Sequence, residues 1–91
     1  MADLNKLIKN KVKEKKVILG FNSVLKTLKS KKLNRVIYAN NLPDEKIRAI
    51  KHNAGLADTE ITEYPNDGME LGLVCGKPFS VGVIGIKGSE K

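Results

Sequence analysis

Apolar positions along this chain switch repeatedly between helical spacing and the short runs or alternation of strands. Leu4, Leu7, Ile8 and Val12 recur at helical intervals with lysines between them, and Asp3 stands where an N-cap would. Val17-Ile18-Leu19 is a brief strand ended by Gly20, after which Phe21, Val24, Leu25 and Leu28 restore the helical period. Lys29, Lys31 and Lys32 fall at the end of that helix, where its macrodipole favours cations. Arg35-Val36-Ile37-Tyr38-Ala39 has the β-branched and aromatic profile of a buried central strand. Asn40-Asn41-Leu42-Pro43 breaks it.

Pro43-Asp44-Glu45 opens a third helix, with proline and acids in its first turn. Ile47, Ile50 and Ala54 form its apolar face, and Gly55 is expected to end it. Glu60 to Tyr64 alternates as a half-exposed strand, and Pro65-Asn66-Asp67-Gly68 reads as a turn. A short helix through Met69, Leu71, Leu73 and Val74 stops at Gly76-Lys77-Pro78, and Ser80 to Ile86 is the last strand. The order α-β-α-β-α-β-α-β predicts an α/β fold with helices on both faces of a sheet. No repeat, linker or low-complexity segment divides residues 1–91, which are expected to form a single domain.

Composition places the chain among globular proteins: 41% of residues are hydrophobic and 30% charged. Charge is distributed unevenly. Residues 1–35 hold 11 Lys and Arg against 2 acids, whereas residues 36–91 hold 6 against 8. A domain polarised in this way attracts a polyanion through phosphate neutralisation and counterion release. No apolar run approaches the roughly 20 residues of a membrane span, and the N-terminus lacks the order of a signal peptide. With a single cysteine, Cys75, the chain reads as cytosolic.

Catalysis finds no support. The lone His52 lies among Arg48, Lys51 and Asn53 on a polar helix side, and Cys75 sits in an apolar stretch as a small buried hydrophobe. No triad, zinc spacing or nucleotide-binding glycine motif occurs, so no cofactor, metal or small-molecule substrate is expected. Four aromatic residues and no Trp give no platform for stacking successive single-stranded bases. What remains is recognition of folded RNA by shape, helix N-termini and a few side chains. Gly20-Phe21-Asn22-Ser23 starts a helix directly after a strand and offers backbone N–H groups to an anion, with Lys26 one turn on. Asn40-Asn41 ends the central strand in the same region if the strands are parallel. Phe79, in the loop Gly76 to Val81, has the look of an exposed phenylalanine.

Three blocks, Ile18 to Lys26, Val36 to Pro43 and Met69 to Val81, together resemble the kink-turn-binding ribosomal protein family, the L-seven-Ae and L-thirty-e group. The resemblance spans nearly the whole chain. It implies a three-layer α/β/α sandwich with a mixed sheet of about four strands, gripping the bend between two RNA stems. It assigns contacts with guanines and phosphates to Gly20, Asn22, Ser23 and Lys26. Asn41 is the strand-end asparagine, Lys46 the basic helix residue, and Phe79 and Val81 pack on a flipped-out nucleotide. Ser23 stands where one branch carries glutamate, and with Ala39-Asn40-Asn41 and Phe79-Ser80-Val81 it points to the L-thirty-e branch. The implied partners are structured RNA, ribosomal RNA first, and the ribosome, in an archaeal cytoplasm. A protein-interaction module that keeps the fold without RNA binding is the second reading.

Overall fold

A computed structural model describes residues 2–30 and 33–87, with side chains from residue 5 onward. Eight elements alternate as α1 (Ala2–Lys13), β1 (Val17–Leu19), α2 (Phe21–Lys29), β2 (Leu33–Tyr38), α3 (Asp44–Ala57), β3 (Glu60–Glu63), α4 (Gly68–Val74) and β4 (Val83–Lys87). The strands form one mixed sheet in the order β1-β4-β2-β3. β4 runs antiparallel to both of its neighbours, β1 and β2, and β3 runs parallel to β2. β1 and β2 therefore run parallel to each other, although β4 separates them.

Period-two alternation divides the core between the two faces of the sheet. Ile37, Ala39, Ile84 and Ile86 face α1 and α4, where they pack with Ile8, Leu71 and Cys75. Val36, Tyr38 and Val83 face α2 and α3, where they meet Val24, Leu28, Ile50 and Ala54. The expected three-layer α/β/α sandwich is the observed architecture. Tyr64 is buried beneath α1 and its hydroxyl donates to Asn5 Oδ1 at 2.7 Å, tying the first helix to the end of β3. Burial raises the Tyr64 pKa.

Several element ends depart from the sequence reading. α1 begins at Ala2, so Asp3 lies inside its first turn; its side chain, like Lys31 and Lys32, lies outside the described residues. Gly55 does not end α3. The helix continues to Ala57 and closes on Asp58, whose left-handed φ of 56° lets Thr59 N reach Ala54 O at 2.8 Å. α1 closes in the same way on Lys15, at φ 60°. Residues 80–82 precede β4 rather than opening it. Val81 N donates to Gly68 O, and Gly82 O accepts from Ala39 N, so these groups are already paired outside β4.

Candidate functional site

Because β1, β2 and β3 run the same way, their C-terminal ends share one edge of the sheet with the start of β4. The loops at this edge lead into α2, α3 and α4, so three helix N-termini converge there. Backbone bonds hold the loops together: Gly20 N donates to Val83 O at 3.1 Å, Ala39 N to Gly82 O at 2.8 Å and Asn40 N to Asn66 O at 3.1 Å. The Asn40 side chain adds a bond from Nδ2 to Pro65 O at 3.0 Å.

The three helix N-termini are electrostatically unlike. α3 carries Asp44 and Glu45 in its first turn. α4 is capped by Asp67, whose Oδ1 accepts from Glu70 N at 3.1 Å, and Glu70 adds a further acid. α2 has neither a capping side chain nor an acid in its first turn. Its first intrahelical bond is from Val24 N to Gly20 O, which leaves the N–H groups of Phe21, Asn22 and Ser23 without a helical partner. The positive end of α2 is thus open to an external anion. Gly20 makes this start possible: its φ of 98° is one that other residues rarely adopt, and no atom lies within 4 Å of where a Cβ would stand.

Asn22, Ser23 and Lys26 are exposed along this helix start. Lys46, from the first turn of α3, places Nζ 5.3 Å from the Phe21 ring centroid, a cation–π contact that brings its charge over the α2 N-terminus. Asn41 is also exposed, but its Oδ1 is taken: it accepts from Gly68 N at 3.1 Å. The amide is thereby oriented, with Nδ2 left as the outward donor. Phe79 is 52% exposed at the same edge. Val81, which the resemblance puts beside Phe79 on a nucleotide, is only 4% exposed and belongs to the core with Leu71 and Ile84. Its side chain holds the loop from beneath.

Sequence reasoning missed the seat of that loop. A Cβ on Gly72 would fall on the Phe79 carbonyl oxygen, and one on Gly68 would stand 2.6 Å from Ser80 Oγ. The two glycines, four apart on α4, make a flat strip on which residues 79–81 lie. Their spacing in Gly68-Met69-Glu70-Leu71-Gly72 was the available signal. Asp67, in the segment whose pattern reads as a turn, is also the α4 cap. Cys75 is buried, which pushes its thiol up to about 11 despite Lys77 nearby, so it stays protonated at neutral pH.

Residues 2–91 match the model of the ribosomal protein L7Ae/L30e/S12e/Gadd45 family. The large ribosomal subunit protein eL30 of Archaeoglobus fulgidus is 38% identical over 86 residues, covering 94% of this chain and 95% of that protein. The eL30 of Methanopyrus kandleri is 40% identical over 81 residues, covering 89% and 74%. Among solved structures, a protein of unknown function from Bacillus halodurans superposes with a TM-score of 0.87 at 20% identity, covering 98% of this chain and 88% of that one. A 15.5kD RNA binding protein from Giardia lamblia gives 0.82 at 20% identity, covering 98% and 74%. These two share the fold.

Proposed function

Because the chain belongs to the ribosomal protein L7Ae/L30e/S12e/Gadd45 family, we propose that it binds a kinked, internally looped RNA at this sheet edge and holds the bend. The chain is no enzyme, and its relatives are ribosomal proteins. The observation that carries the reading is the open N-terminus of α2, the one helix start at this edge with neither cap nor acid. A phosphate seated there meets three backbone donors, with Lys26 and Lys46 supplying charge. Asn22, Ser23 and the Asn41 Nδ2 reach base edges at the bend, where guanine presents acceptors. Phe79 covers the face of an unstacked base. Ribosomal RNA in the cytoplasm is the natural partner, given eL30 relatives, and the lysines of α1 add long-range attraction.

A bend-specific protein must distinguish RNAs of equal charge. Titration into a kink-turn RNA and a matched straight duplex is expected to show a preference of at least about a hundredfold. Raising salt from about 50 to 200 mM should weaken both complexes, as counterion release requires. Equal affinity for the two RNAs would reduce the site to a basic patch and overturn the proposal.

A further inference from the structure

On the face carrying α1 and α4, a groove of two adjoining cavities, about 230 and 280 Å³, runs between α1, β1 and the end of α4. None of Gly20, Asn22, Ser23, Lys26, Asn41, Lys46 or Phe79 lines it. Val12, Val17, Leu19 and Cys75 make its apolar floor, while Lys9, Lys13, Lys15 and Lys77 make its rim, and among the described residues no acidic side chain lines either cavity. The nearby Glu14 is held between Lys11 at 3.6 Å and Lys16 at 3.8 Å.

The groove adjoins a bare strand edge. β1 has β4 as its only sheet neighbour among the described residues. Lys87 N donates to Lys16 O and Gly20 N to Val83 O, which fixes residues 16 and 20 as facing β4. Antiparallel alternation then turns the N–H and C=O groups of Val17 and Leu19 outward. Their side chains meanwhile pack against the α1 and α4 core.

An RNA backbone would use the lysines but neither the apolar floor nor the open edge. An extended polypeptide uses all three, with main-chain bonds supplying affinity and alternate side chains supplying selectivity. We propose that the β1 edge and its groove bind an extended acidic segment of a partner protein, which adds a strand beside β1. Every second side chain of that segment faces the groove: apolar ones at its centre sit on the floor, and acidic ones toward its ends meet Lys9, Lys13, Lys15 and Lys77.

The probe is a short, blocked, dye-labelled extended peptide whose alternate, groove-facing positions are leucine at the centre and glutamate toward both ends, titrated into the full chain by anisotropy and by amide chemical shifts. Saturable binding is expected, with shifts at Val12, Val17 to Leu19 and Cys75 to Lys77, and none at Asn22, Asn41 or Phe79. Lys9→Glu with Lys13→Glu should weaken it at least about tenfold, the fold being checked by an unfolding curve. N-methylating one alternate set of peptide amides should abolish binding, and methylating the other set should not. Indifference to both methylations, equal binding of a lysine-for-glutamate peptide, or shifts confined to the Asn41 edge would overturn the proposal. So would displacement of the peptide by a straight RNA duplex shifting the same groove residues, an outcome that makes the groove an RNA surface.

Discussion

Asn41→Asp is expected to keep the fold intact and to lose the RNA, whereas Asn41→Ala is expected to damage both. The reason lies in the division of labour within one amide, whose Oδ1 caps α4 by accepting from Gly68 N at 3.1 Å. Aspartate keeps that acceptor and adds a negative charge at a helix N-terminus, worth about 0.3–1 kcal/mol in its favour. Alanine leaves the N–H of buried Gly68 unpaired, at a cost of about 1–3 kcal/mol. Both variants lose the Nδ2 donor. Alanine should then weaken RNA binding by about 1–3 kcal/mol, and aspartate by more, because its carboxylate faces phosphates and base acceptors. Denaturant unfolding beside RNA titration separates the two roles. Equal destabilisation by both variants would contradict the cap. Undiminished RNA affinity of the aspartate variant would contradict the site.

Gly72→Ala should destabilise the protein, and the same substitution at Gly55 should stabilise it. Both positions are helical, and alanine in a helix interior is favoured over glycine by about 0.5–1 kcal/mol. At Gly55 nothing lies within 4 Å of the added Cβ, so that gain stands alone. At Gly72 the added Cβ would collide with the Phe79 carbonyl oxygen, and with backbone on both sides neither partner yields cheaply. The expected net loss is about 1–3 kcal/mol, which shifts the melting temperature of a domain this size by roughly 4–8 °C per kcal/mol. Since relief comes by lifting residues 79–81 off α4, RNA affinity should fall as Phe79 leaves its place. A stabilised Gly72→Ala variant would mean that the loop does not rest on α4.

The layers were readable in the chain because periodicity follows burial. Leu7, Ile8 and Val12, Val36-Ile37-Tyr38 and Ile47, Ile50 and Ala54 each sit where their spacing puts them. Helix ends were less readable. Gly55 invited a stop that the backbone makes three residues later, because Asp58 and Lys15 take the left-handed closing position in place of glycine. Residues 80–82 carry a strand pattern, yet tertiary bonds to Gly68 and Ala39 claim the backbone at Val81 and Gly82. For the site, the sheet order brings the segments carrying Gly20, Asn22, Ser23, Lys26, Asn41, Lys46 and Phe79 to one edge. Val81, given as a nucleotide contact by the resemblance alone, turns into the core because residues 79–81 rest on α4, a tertiary contact that local alternation does not show. The Gly68 and Gly72 strip was hidden for the same reason: a glycine that admits another segment's backbone reads, in sequence, like any weak helix former.

The claim that this chain holds a bend is tested most directly by the shape of the RNA itself. A two-stem RNA with an asymmetric internal loop, labelled with donor and acceptor dyes at the stem ends, is followed by energy transfer in low salt without divalent ions. Addition of the protein should raise transfer, saturating at one protein per RNA, as the stems are drawn together. Saturable binding with no rise in transfer would contradict the account.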